Sequence, residues 1–357
     1  MIKIIFAGTP ELACPSLDLL HRSESICISA VLTRPDQPFG RRRVLSPSPV
    51  KKRALEWGLH IFTPEQLNRD VREQIAELKP DLLVVFAYGK IFRPAFLDLF
   101  SLGGINLHPS ALPQWRGPSP IEAQLLAGSE QLGLSVQRIS LEMDAGDILE
   151  QEFHTLPEGA NYFAAAELAA RQGAALLQRS GAKIAAQGHG YLDTARPQEH
   201  ERASYCSMIC KEDGLLDWGQ SALQISRQCR AYAAWPRTYT GLDFQLDGSR
   251  IFQVNIIDGE VWPYPEGEGW SGAKPGTLLG LHPDAGLLVK TGEGILAVRH
   301  LQRQGKNICR AAEFANQLLP QYLPRLPREK LASVFEANRY CFEKPGRQPV
   351  QPSTSLR

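Results

Sequence analysis

Three side chains could carry chemistry in this chain. Asn106 and His108 stand two residues apart in Asn106-Leu-His108, and Asp144 lies in Leu141-Glu-Met-Asp-Ala-Gly-Asp147. An amide can donate to a developing oxyanion. An imidazole can share that load or handle a proton, and a carboxylate can orient the imidazole or draw a proton from a nucleophile. Together they are the groups needed to move an acyl unit onto an amine. Singly, each has a plainer reading. A lone Asn after a strand caps a turn. His108 precedes Pro109, which holds its backbone extended, and a His there is ordinarily a structural hydrogen-bonder. Asp144 in Met-Asp-Ala-Gly reads equally as a turn residue. The three alone fall short of a reaction class. They are followed by a loop that prolines 109 and 113 and Gly117 make rigid, from which Trp115 and Arg116 are expected to project. A rigid polar loop at a strand end is a common place for function.

The elements that must position these residues alternate strand and helix. Apolar runs predict strands over 2–7, 28–33, 60–62, 81–87 and 104–107, and helical spacing predicts helices over 11–21, 50–57, 68–78 and 162–179. Segment 81–87 is nearly all apolar, as suits a strand buried on both faces. Segments 134–139 and 148–156 read as a hairpin. Repeated βα units predict an α/β fold with an open, mostly parallel sheet. Ligands of such sheets sit outside the carboxyl ends of the strands, where Asn106 and His108 fall. Beyond 180 the texture changes. Residues 181–203 are polar and weakly periodic, and read as a linker. A helix over 221–232 and five short strands over 239–246, 250–257, 276–281, 287–291 and 295–301 then suggest a small OB-like β-barrel. The expected domains are therefore 1–180, 204–326 and an extension over 327–357, its last dozen residues expected to be disordered.

Composition narrows the function classes. The chain has 357 residues, 43% of them hydrophobic, enough to bury real cores. Lys and Arg total 39 against 38 Asp and Glu, so any polyanion must be met by a local patch. One such patch is segment 34–53, with Arg34, Arg41, Arg42, Arg43, Lys51, Lys52 and Arg53 against Asp36 alone. Basic runs are usually just solvated loops. From residue 202 onward there is a mild excess, 19 basic against 15 acidic residues. The seven cysteines are scattered, with no zinc-finger spacing; they predict reduced thiols in the cytoplasm and no metal. The apolar start is short and broken by Lys3, so it reads as a buried strand, and no run reaches the roughly 18 residues a membrane span needs. Ala7-Gly8-Thr9-Pro10 lacks the later glycines of a dinucleotide fingerprint.

With these motifs in hand the chain resembles the methionyl-tRNA formyltransferases, within the folate-dependent formyltransferase superfamily. The residues that carry the resemblance are Phe6-Ala-Gly-Thr-Pro-Glu11, Ser46-Pro-Ser-Pro-Val-Lys51, Val85-Phe-Ala-Tyr-Gly89, Asn106-Leu-His108, Leu112-Pro113, Trp115-Arg-Gly117, Asp144-Ala-Gly-Asp147, Asp217-Trp218, Arg230-Ala-Tyr232, Trp235-Pro236 and Leu301-Gln302. They run in order over residues 1 to about 320. The resemblance implies a Rossmann-like catalytic domain and an OB-like C-terminal domain. It implies formyl transfer by Asn106, His108 and Asp144 from 10-formyltetrahydrofolate to the α-amino group of initiator methionyl-tRNA, by a monomer. Phe86, Ala87, Tyr88, Gly89, Ser110, Leu112, Pro113, Leu141 and Met143 are the implied folate site. Arg41, Arg42, Arg43 and Lys51 are the implied contacts to tRNA. Two departures stand out: Gln114 where relatives carry Arg, and Met208 where they carry Lys, which puts one linker–RNA contact in doubt. The rival readings are a formyltransferase acting on an amino sugar nucleotide and a non-catalytic RNA-binding protein.

Overall fold

A computed structural model describes residues 1–40, 43–243, 251–263, 272–322 and 341–343. The chain divides into two compact units, Met1–Gln124 with Ser129–Met208, and Leu125–Gly128 with Ile209 onward. The first unit is built on a seven-stranded sheet of β1 (Ile2–Gly8), β2 (Ile26–Leu32), β5 (Ile61–Phe62), β6 (Leu82–Phe86), β7 (Gly104–His108), β8 (Gln131–Arg138) and β9 (Ile148–Thr155). Its spatial order is β5-β2-β1-β6-β7-β8-β9. The first five strands pair in parallel, and β8 and β9 add antiparallel at one edge. Strands β1 and β6 are apolar almost throughout because both of their faces are covered. The basic segment forms a short hairpin, β3 (Gln37–Phe39) with β4 (Val44–Ser46), before the helix Pro49–Glu56. Its prolines exclude helix, as read from the sequence.

The helix expected over 162–179 runs further, as Tyr162–Gln187. Its Ala- and Gly-rich face explains the extension. A Cβ on Gly181 would lie 2.8 Å from Ile26 Cδ1, so the missing side chain allows close packing on the sheet instead of ending the helix. The helix stops at Gly188, in the left-handed region at φ 56°.

Residues 181–203 are accordingly no free linker. They open as the last turns of this helix, and Gln198 is buried at 5% exposure. Residues 204–206 bond back to the first unit: Ser204 Oγ accepts from Trp115 N–H at 2.9 Å, and Cys206 N–H donates to Arg116 O at 2.8 Å. The polar composition that suggested a linker serves buried hydrogen bonds.

Among the described residues the second unit holds the helices Ala222–Ala231, capped by a Ser221/Gln224 box, and Ala311–Tyr322, together with two sheets. One sheet has five strands, among them Thr238–Asp243, Ile251–Ile256 and His300–Arg303; the other has four, among them Leu278–His282, Gly286–Lys290 and Ile295–Val298. No ladder joins the sheets among the described residues. The last strand expected, 295–301, is two strands. Asp258 Oδ1 accepts from the backbone N–H of Arg299 at 3.0 Å and of His300 at 2.8 Å, and the chain passes there from one sheet to the other. One core of buried residues, including Leu242, Val254, Leu278, Val289, Leu296 and Leu301, underlies both sheets. Of the extension 327–357, only Cys341–Glu343 lies within the described residues, as a strand beside Thr238–Asp243.

Candidate active site

Asn106 and His108 lie on β7, where residues two apart face the same side. Asp144 comes from the loop between β8 and β9 and meets both. His108 Nδ1 lies 3.5 Å from Asp144 Oδ1, and Asn106 Nδ2 also lies 3.5 Å from that oxygen. The three residues singled out by type therefore converge, with His108 buried and Asp144 14% exposed at its side chain.

The carboxylate is held from several directions. Its Oδ2 accepts from Gly117 N–H at 2.9 Å, and its Oδ1 accepts from Gln137 Nε2 at 3.1 Å. Asp144 itself sits in the left-handed region at φ 53°, a conformation Asp tolerates better than most residues and one that recurs at functional sites. Gly117, at φ 113°, leaves no room for a side chain: a Cβ there would lie 2.3 Å from Cys206 O.

His108 has a specific orientation. Its Nε2 lies 2.8 Å from Trp115 O. A carbonyl only accepts, so Nε2 carries a proton. Trp115 adopts φ 60° to turn that carbonyl inward, and its own N–H is satisfied by Ser204 Oγ. The nitrogen left to face a substrate is Nδ1, on the side of Asp144. Only the doubly protonated ring can donate to both neighbours.

Arg116 does not project from the loop. It is fully buried, because its guanidinium finds acceptors inside. Nε and Nη2 donate to Gln198 Oε1 at 3.0 and 2.8 Å, and Nη1 reaches Tyr205 Oη at 3.2 Å and the exposed Glu142 at 3.4 Å. Sequence reasoning missed Gln137, Gln198, Ser204 and the Trp115 carbonyl. The one signal available was Gly117, whose place after two large residues marks a close backbone approach.

The expected folate residues divide by exposure. Phe86, Tyr88, Ser110 and Leu112 are buried. Tyr88 stacks on Phe92 inside the core, and burial pushes its phenol up to about 12. Ser110 Oγ donates to Gln114 O within its own loop. Those side chains are thus spent on packing, and only their backbones could serve a ligand. Pro113 is half-buried, while Ala87, Gly89, Leu141 and Met143 are exposed, the last two beside Asp144. Of the expected RNA contacts, Arg41 and Arg42 lie outside the described residues; Arg43 is exposed, and Lys51 is paired with Asp36 at 2.7 Å. Near the site, burial raises the Glu122 carboxyl and the Cys206 thiol, the latter also under the charges of Asp144 and Glu122. No group of three His, Cys, Asp or Glu residues is arranged to hold a metal among the described residues. No described helix is long and apolar enough to cross a membrane.

Comparison with known proteins gives the site a context. The formyl transferase family matches residues 2–161, and the formyl transferase C-terminal domain matches residues 208–319. The methionyl-tRNA formyltransferase of Treponema denticola is 38% identical over 323 residues, covering 88% of this chain and 96% of that protein. That of Roseiflexus castenholzii is 35% identical over 317 residues, covering 88% and 95%. Among solved structures, WlaRD, a sugar 3N-formyl transferase, has a TM-score of 0.59 at 17% identity, covering 86% of this chain and 99% of that one. The N-formyltransferase of Helicobacter canadensis likewise has a TM-score of 0.59 at 17% identity, covering 84% and 99%. At that identity the likeness is one of fold.

Proposed function

The chain belongs to the methionyl-tRNA formyltransferase family, and from that premise we propose that it transfers the formyl group of 10-formyltetrahydrofolate to the α-amino group of methionine on initiator tRNA. The observation that carries the reading at the residue level is the meeting of Asn106, His108 and Asp144 at one carboxylate oxygen. In this mechanism the amine adds to the formyl carbon, and negative charge develops on its oxygen. Asn106 keeps one amide N–H for that oxygen while the other faces Asp144. His108 donates from Nδ1. Asp144 orients the imidazole and takes the proton released by the amine, directly or through water. A positioned acid–base group of this kind contributes about 10²–10⁴ to the rate.

The donor fits a surface formed by the backbone of 86–89 together with Leu141, Met143 and Pro113. Exposed apolar side chains next to the carboxylate suit the faces of a pterin, and turned-out backbone suits its edge. For the acceptor, Arg41, Arg42, Arg43 and Lys51 would meet acceptor-arm phosphates, with Asp36 exchanged for phosphate at Lys51. Residues 1–180 would carry the chemistry and 204–326 would bind the RNA body, the second unit being read as OB-like because one buried cluster draws residues from both of its sheets.

Side-by-side assay tests the assignment. Formylation of charged initiator tRNA should far exceed formylation of an amino sugar nucleotide. Preference for the sugar nucleotide would replace this reading, and activity on neither would leave an RNA-binding protein.

A further inference from the structure

Behind Asp144 lies a chain of buried polar side chains with one direction. Arg116 offers only donors. Both Nε and Nη2 give their protons to Gln198 Oε1, so the Gln198 amide nitrogen must point away from Arg116. Its two N–H groups donate to Asp144 O at 2.9 Å and to Gly146 O at 2.7 Å, and Gln137 Oε1 at 3.3 Å shares one of them. With its oxygen so engaged, Gln137 turns its own Nε2 to Asp144 Oδ1 at 3.1 Å. Amide orientation is ordinarily ambiguous. Here a guanidinium that cannot accept settles it for Gln198, and a carboxylate oxygen that accepts settles it for Gln137. The oxygen at the end is the one that faces His108 Nδ1 and Asn106 Nδ2. Gln137 and Gln198 are 2% and 5% exposed, so water does not substitute for them.

We propose that Arg116, Gln198 and Gln137 are positioning residues, forming a directional hydrogen-bond relay that aims the Asp144 carboxylate for the transfer step. The proposal rests on the reaction assigned above. Gln198 fixes the backbone of the left-handed Asp144, and Gln137 fixes its carboxylate. The other charged or titratable groups near that carboxylate are His108 from β7, Cys206 and Glu122; Glu142 and His200 face Arg116 at the far end. None of these supplies an N–H to Oδ1 from the side that Gln137 occupies. A merely packing role for Gln137 would affect how much protein folds. A positioning role also sets how the rate responds to pH.

The test measures formyl transfer from 10-formyltetrahydrofolate to charged initiator tRNA across pH for the full-length protein, Gln137→Glu and Gln137→Met. Gln137→Glu replaces the donor with a second carboxylate against Asp144. It should lower kcat by about 10- to 100-fold while leaving both KM values within about twofold. It should also move the acidic limb of the profile upward by about one pH unit, since like charges favour proton binding. Gln137→Met should lower kcat with a smaller displacement of the limb. The limb is read within one preparation, so loss of folded protein scales every rate and leaves its position alone. A Gln137→Glu limb that coincides with wild type overturns the relay, whatever happens to kcat. Absence of wild-type turnover in the same assay would instead refute the assigned reaction.

Discussion

At the residue scale, the three side chains that converge were legible in the sequence, while those that hold them were not. Asn106, His108 and Asp144 are recognisable by type. The Trp115 carbonyl that fixes the His108 ring is backbone, and backbone groups leave no trace in a sequence. Gln198 lies in a stretch whose polar, aperiodic composition suits solvent equally well. Arg116 illustrates the reversal: an arginine on a loop reads as exposed, yet here its planar fork is buried against a glutamine. Lys cannot reproduce that fork. Arg116→Lys should therefore lower the unfolding free energy by about 2 kcal/mol. An unchanged urea midpoint would mean that the fork contributes little.

At the scale of elements, alternating apolar runs mark the central sheet, and the runs 134–139 and 148–156 fall in its antiparallel edge hairpin β8–β9. Misjudgements came where side-chain size or a side-chain acceptor overrode periodicity. Gly181 continues a helix because it packs closely on the sheet, and Asp258 splits an apolar run by accepting two backbone N–H groups. The helix Pro120–Ala127 offers a test of electrostatics. Burial raises its Glu122 carboxyl, against a smaller opposing effect of its own backbone N–H. A carboxyl whose folded value lies above its unfolded one binds its proton more tightly when folded. Its contribution to stability is greatest below the unfolded value and is lost as pH rises through the folded one. Glu122→Gln should therefore raise Tm at neutral pH, and the gain should vanish in acid, where the Glu122 carboxyl is protonated in both the folded and the unfolded state. A gain that persists unchanged at low pH would assign the effect to packing.

At the scale of the whole molecule, near-neutral net charge means that RNA binding must rest on local basic surface. Affinity for charged initiator tRNA should then fall with salt, with a log–log slope of roughly −0.7 to −0.9 per neutralised phosphate. Alanine at Arg41, Arg42 and Arg43 should raise KM for tRNA far more than KM for the folate donor. An unchanged tRNA KM would dismiss that loop. The composition changes texture near residue 180, whereas the first compact unit runs on to Met208, because residues 204–206 hydrogen-bond within it. In the proposed reaction Asn106 donates to an oxyanion beside His108 and Asp144. Single-turnover formylation of charged initiator tRNA by Asn106→Asp tests it most directly, because the substitution keeps the size of the side chain and places negative charge where the oxyanion forms. The rate should fall by at least about 10²–10³; a near-normal single-turnover rate would rule out Asn106 as an oxyanion donor.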